Sequence, residues 1–395
     1  MCVVDIKTGL SDQEPLFLRP NNQLWIPDGP ALKWDEWEST PIACPGDDGK
    51  NIIVKTGRPK STITCVSGTT FRLGDLTEHV DIADIKCQSR PTGSVQNTGQ
   101  DCGGGGTLLN VGFQVDTVDF VTYFLSCYNM QTASVIYTFH VIAGGAINNK
   151  VPVTKKDKKR PAFKAAQVPP DLSPATAYDQ GGQFDLFTQL LGSEVQAQYF
   201  STDKSYLSRG HLTPDADGIF RPWRWATYFF VNVAPQWQAT NGGNWVEVEN
   251  AARTVSGRLN EKVLIFTGVH GVLTLPGVDG WWKTITLAAG RIPAPKWYWK
   301  VIKSKSKDAA IALVSLNDPF RKIKPWEMLC EDVCNQYGWS NPNYRKFELG
   351  YTYCCTVADL RAHIPSIPAE ADAAYVLRYD EDIGSATRPV HDELR

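Results

Sequence analysis

The chain has almost no net charge. Forty lysines and arginines stand against 42 aspartates and glutamates, a formal balance of −2. That excludes a globally basic nucleic-acid binder and confines any polyanion surface to a local patch. Long apolar runs are missing too, since nothing approaches the roughly 20 residues that a membrane helix needs. The opening Met1-Cys2-Val3-Val4-Asp5 has neither the basic nor the apolar part of a signal peptide. There is no internal repeat and no Asn-x-Ser/Thr sequon. The glycine run 103–106 lacks the following lysine and hydroxyl residue of a phosphate loop, so it reads as a flexible connector. Asp215-Ala216-Asp217-Gly218 opens like a calcium loop. Ile219 and Ala226 stand where an oxygen ligand and a glutamate are needed, and the stretch reads as a turn. His391-Asp392-Glu393-Leu394 is followed by Arg395, so it is not a terminal retention signal.

What is present suits a globular protein. With 42% hydrophobic and 21% charged residues, 395 residues are enough for two domains. The cysteines say more. Of ten, six fall within 2–127 and four within 330–355, even numbers that favour closed disulfide sets and an oxidising, extracellular destination. Zinc at Cys330 and Cys334 with Cys354 and Cys355 is the weaker alternative, because adjacent cysteines suit a tetrahedral site poorly. If Cys330 and Cys334 lie on a helix they share a face, and each is expected to reach one of Cys354 and Cys355. Residues 1–107 read as a small disulfide-rich β domain with β-like runs at 51–55 and 61–66. Residues 108–395 read as a larger second domain, tied to the first by a bridge from Cys127.

In that second domain, 121–127 and 133–142 look like neighbours in a central sheet, on which His140 is one more sheet residue. Runs at 263–269, 297–302 and 309–314 extend it. The proline- and lysine-rich loop 152–174 carries Lys155, Lys156, Lys158, Lys159 and Arg160, either a solvated face or a local positive field for a polyanion. The β-branched and aromatic stretch 227–231 reads as a buried strand that ends at Pro235. Trp245, Val248, Ala252 and Val255 recur at intervals of three and four, an apolar helical stripe entered through 241–244 and stopped at Gly257. His270 falls in a turn and receives no catalytic role. From Pro325 the chain reads as helical.

The chemistry concentrates around Ser208-Arg209-Gly210-His211. A histidine can accept a proton near neutral pH, and an arginine two residues away can fork onto a phosphate. Glycine between them lets backbone approach a bulky polyanion. Downstream, Glu249 and Arg253 lie four apart on one helix face, with Asn241 at the helix entry.

Arg-Gly-His, then Asn232-x-x-Pro235-Gln236, then Asn241, Glu249 and Arg253 at these intervals resembles the DNA/RNA non-specific endonucleases. The resemblance is tight over 208–257, looser over about 108–325, and greatest to the crustacean digestive deoxyribonucleases of that family. It implies an α+β nuclease core, with a central mixed sheet flanked by helices and a ββα-metal motif. It implies His211 as general base, Asn241 as the direct ligand of magnesium, with manganese as a substitute, and Glu249 as the carboxylate that holds the ion's waters. Arg209, Arg253 and Arg160 would contact phosphate. It further implies a secreted enzyme that cuts internal bonds of DNA to 5′-phosphate ends, with duplex favoured and RNA a further candidate substrate. One departure stands out: Ser208 occupies a position where the family usually has aspartate, and its hydroxyl can replace that residue's hydrogen bonds only in part. The departure motivates one rival reading, a catalytically inactive DNA- or phosphate-binding protein on the same fold. A phosphodiesterase of small nucleotides is the second rival.

Overall fold

The computed structural model describes residues 1–47, 49–153, 160–201 and 205–380. Lys155, Lys156, Lys158 and Lys159 of the basic loop, and 391–394, lie outside the described residues. Near the N-terminus, β1 (Leu16–Phe17), β2 (Ser39–Ala43), β3 (Lys60–Ser67), β4 (Thr70–Leu73) and β5 (His79–Asp81) form a five-stranded sheet in sequence order. A sheet of such short strands has little core of its own. The disulfides Cys2–Cys65 and Cys44–Cys87 staple it. The β-like run at 51–55 supplies only isolated bridges, at Ile53.

The second sheet has nine strands. Its first half is β6 (Ser94–Asp101), β7 (Thr107–Gln114), β8 (Phe120–Asn129) and β9 (Ser134–Ala143). The chain then leaves on a long excursion that includes a separate hairpin, β10 (Leu207–His211) and β11 (Val233–Trp237), and, among other helices, α1 (Gln238–Asn241) and α2 (Asn244–Leu259). It returns as β12 (Lys262–Val272), β13 (Pro295–Ser304), β14 (Ala309–Leu316), β15 (Thr352–Cys355) and β16 (Tyr375–Val376). The order is β15-β14-β13-β12-β9-β8-β7-β6, with β16 parallel to β14 and all other neighbours antiparallel. The architecture is therefore α+β with a mixed central sheet, as expected.

Every residue of β14 is buried, which is why it reads as an unbroken apolar run: both faces of the sheet are covered. On one face Trp297, Trp299 and Val301 pack in a cluster with Leu360 of helix α3 (Val357–His363). On the other, Tyr298 and Ile302 join the main core with Trp245, Val248, Ala252 and Val255 of α2, all buried. The Trp245 and Tyr298 ring centroids are 5.3 Å apart. Helix α2 thus lies on the sheet through the stripe its sequence predicts.

Several local expectations are corrected. Residues 94–107, grouped by sequence with the N-terminal region, lie in or next to the large sheet through β6 and the start of β7. The glycine run is the turn between β6 and β7, where Gly103, Gly104 and Gly105 take positive φ values of 86°, 60° and 73°. Cys102–Cys127 clips this turn to β8. The two sheets share one continuous core: the Phe17 and Phe220 rings are 5.9 Å apart, and buried Glu14 pairs with Arg221 at 3.0 Å.

The stretch 227–231 is not a strand. It runs into a 3-10 turn at Phe230–Asn232, and β11 starts at Val233 with Pro235 inside it. Among the described residues strand β11 pairs only with β10, so an edge position without an N–H is tolerated there. Helix α2 runs past Gly257 to Leu259 and ends on Asn260, whose φ of 52° makes the left-handed cap. His270 lies within β12, not in a turn.

Cys330 and Cys334 are not on a helix. Asp332 instead accepts hydrogen bonds from the backbone of Cys334 at 3.0 Å and of Cys354 at 3.2 Å, which docks the loop against β15. The expected pairing survives this change, as Cys330–Cys355 and Cys334–Cys354. All ten cysteines are in disulfides, which removes the thiolates a zinc site would require.

Candidate active site between the hairpin and the helix

Strands β10 and β11 pair antiparallel, with Ser208 opposite Gln236, Arg209 opposite Pro235 and His211 opposite Val233. The two-residue period of a strand puts Arg209 and His211 on one face. Gly210 is needed for packing rather than for access. A Cβ there would lie 2.5 Å from Gln236 Oε1 and 3.0 Å from Tyr298 Oη, so glycine lets the hairpin settle onto β13.

In front of the hairpin is a cleft of about 850 Å³. Arg160, Arg209, His211, Asn241 and Glu249 all line it. Five of the six residues singled out in the sequence thus converge on one space, from a loop, a strand and two helices.

The His211 ring is packed between Phe163 and Tyr228, with centroids 5.1 and 5.0 Å away. Its Nε2 is buried without a hydrogen-bond partner among the described residues. Burial pushes its pKa down to about 4, against the upward pull of Asp215 and with a further push from Arg160. The imidazole is therefore neutral at pH 7, with a nitrogen not committed to the protein.

Arg209 sits in an aromatic cage. Its guanidinium carbon is 5.4 Å from the Tyr178 ring, 5.6 Å from Phe163 and 5.8 Å from Phe230. Its buried Nε has no hydrogen-bond partner among the described residues. Such contacts fix a cation without neutralising it, so the charge stays directed at the cleft.

Asn241 closes α1. Its Nδ2 donates to Ser208 Oγ at 3.1 Å, and among the described residues its Oδ1 accepts no hydrogen bond. Glu249 is half-buried with no hydrogen bond or ion pair of its own among the described residues. Burial raises its pKa to about 7, tempered by the nearby Lys300 and reinforced by Asp217. Lys300 lies beneath the site on β13, with Nζ 2.5 Å from Thr267 Oγ1 and 3.3 Å from the Leu212 carbonyl. Burial lowers its pKa to about 8, with Glu249 and Asp217 pulling the other way.

Arg253 is the exception. It does not line the cleft; its guanidinium donates to Asp217 at 2.8 Å and to Asn250 at 2.7 Å. It borders a separate groove with Lys150 and Asn148. Asp217 in turn meets His140 Nε2 at 2.8 Å. Burial alone would raise Asp217, but the hydrogen bond to His140 and the charges of Arg253 and Lys300 reverse that and hold it at about 2. Asp217 is therefore ionised, and His140 donates to it. This His140–Asp217–Arg253 chain was not read from the sequence. A signal was available: a histidine on a strand buried on both faces must find a polar partner. The aromatic cage of Phe163, Tyr178 and Phe230 was also missed, because its members come from three loops distant in sequence.

The hairpin and the helices after it form a ββα arrangement around one cleft lined by an imidazole, a caged arginine, an amide and a carboxylate. Residues 104–360 match the model of the DNA/RNA non-specific endonucleases, and the chain belongs to that family of metal-dependent nucleases. It is 30% identical over 357 residues to a salivary endonuclease of Lutzomyia longipalpis, covering 88% of this chain and 79% of that one. It is 26% identical over 387 residues to the salivary protein Tsal2A of Glossina morsitans morsitans, covering 96% and 95%. A solved EndoG/EndoGI complex aligns with 60% of this chain and 87% of its own at 17% identity, with a TM-score of 0.36.

Proposed function

We propose that this chain is a secreted, magnesium-dependent endonuclease that hydrolyses internal phosphodiester bonds of DNA to 5′-phosphate ends. Duplex DNA is the preferred substrate, RNA a further one, and manganese can replace magnesium. The reading rests above all on one observation: His211, Arg209, Asn241 and Glu249 line a single cleft, where His211 Nε2 and Arg209 Nε are buried without a hydrogen-bond partner among the described residues. The family match and the salivary endonuclease relative support it. For secretion, the five disulfides and the salivary relatives are the support; no helix among the described residues is long and apolar enough to cross a membrane.

The donor set fits a hard cation. An amide oxygen and a carboxylate, both without protein partners among the described residues and in a cleft whose described lining holds no sulfur, suit magnesium better than a soft metal. Asn241 Oδ1 would hold the ion directly, and the Glu249 carboxylate would hold its hydration waters. When bound, the ion supplies charge neutralisation at the scissile phosphate and its departing 3′ oxygen. The rest falls to the chain. His211, neutral at pH 7, accepts the proton of the attacking water at its free nitrogen. Arg209, with Arg160 at the cleft edge, binds the phosphate oxygens and stabilises their developing charge. Arg253 acts at one remove, holding Asp217 and the turn that follows His211.

The test is cleavage of covalently closed plasmid with and without a chelator. Opened circles that vanish on chelation are expected. Intact circles with metal present would leave a binding protein; turnover of small phosphodiesters alone would leave the nucleotide phosphodiesterase.

A further inference from the structure

We propose that Ser208 is a positioning residue for the cation site: its hydroxyl dictates which end of the Asn241 amide faces the cleft. The proposal rests on the reading of Asn241 as the metal ligand. Ser208 Oγ lies 2.9 Å from the Gln236 carbonyl and 3.1 Å from Asn241 Nδ2. A hydroxyl has one proton and a carbonyl can only accept, so the Ser208 proton goes to Gln236. Only lone pairs are left for Asn241, and the amide must therefore turn its NH₂ toward Ser208. The geometry of an amide then puts Oδ1 on the opposite side, free for a cation. Turning it over would set two acceptors about 3.1 Å apart, with no proton between them.

The device is built into the hairpin register. Ser208 and Gln236 are directly opposed in the β10–β11 ladder, so the backbone of β11 fixes the hydroxyl and the hydroxyl fixes the ligand. Asn241 has no other hydrogen bond to hold its amide among the described residues, and its helix is a single short turn. Without Ser208 the amide would rotate freely, and an oxygen would face the cation only part of the time.

Binding of Mn²⁺ alone, followed by electron paramagnetic resonance without DNA, tests this apart from turnover. Ser208→Ala is expected to weaken Mn²⁺ binding about 10-fold or more, as loss of a partner that orients a ligand typically does. Ser208→Thr, which keeps the hydroxyl, should stay within about 3-fold of the parent and guards against misfolding as the cause. Asn241→Ala should weaken binding at least as much as Ser208→Ala. The double variant should be no weaker than Asn241→Ala, because the two residues act as one unit. Parent-like binding by a folded Ser208→Ala, with Asn241→Ala impaired, overturns the proposal and leaves the site reading intact. Parent-like binding by Asn241→Ala overturns the site reading itself.

Discussion

At the scale of single residues, Arg209 and Arg253 stand in different surroundings. Arg209 and Arg253 were both assigned to phosphate, but only Arg209 faces the cleft. Helical spacing fixes which face Arg253 shares with Glu249; it cannot reveal that a loop aspartate 36 residues earlier reaches that face first. Two arginine substitutions should therefore behave differently. Arg209→Lys keeps the charge and loses the planar fork and the stacking, so kcat/KM should fall about 10-fold or more with little change in Tm. Arg253→Ala strands a buried carboxylate and should lower stability by about 3–5 kcal/mol, read by urea unfolding. An Arg253→Ala protein as stable as the parent would refute the structural role given to this residue.

At the scale of elements, apolar pattern was readable and backbone type was not. Positions 245, 248, 252 and 255 placed α2 on the sheet correctly, because a stripe at helical period has only one face to bury. Residues 227–231 are buried in the structure, yet as a loop and a 3-10 turn; β-branched and aromatic composition reports burial as much as strand. The His140–Asp217–Arg253 chain joins three such elements: central strand β9, the turn after His211, and α2. Asp217 has a folded-state pKa of about 2, below the ordinary carboxylate value. Its contribution to stability is thus present above about pH 4 and lost as pH falls toward 2, amounting to about 2 kcal/mol. Asp217→Asn should be destabilised at pH 6, and its gap from the parent should narrow as pH falls from 4 to 2. Denaturant melts at a series of pH values measure this, and a gap that does not change with pH would contradict the assignment.

At the scale of the whole molecule, cysteine parity was legible and the sheet to which 94–101 belongs was not. Counting predicted two closed disulfide sets, and the fold contains them. Thiol titration of denatured, unreduced protein should find no free thiol. The loop closed by Cys44–Cys87 spans 43 residues, so replacing both cysteines should cost about 4 kcal/mol. The sequence groups 94–106 with the N-terminal region, but β6 ends at Asp101 and pairs with β7 in the large sheet, and the two sheets bury one core between them. Removing 1–107 should therefore cost the fold before it touches the chemistry, since all the groups assigned to catalysis lie beyond that point. The central claim is that His211 is the base of a metal-dependent endonuclease, and one comparison tests it most directly. Plasmid cleavage by His211→Ala should fall by about 10²–10⁴-fold or more, while Mn²⁺ and DNA binding stay near the parent's. Cleavage by the variant at close to the parent rate, with contaminating nuclease excluded, would contradict the account.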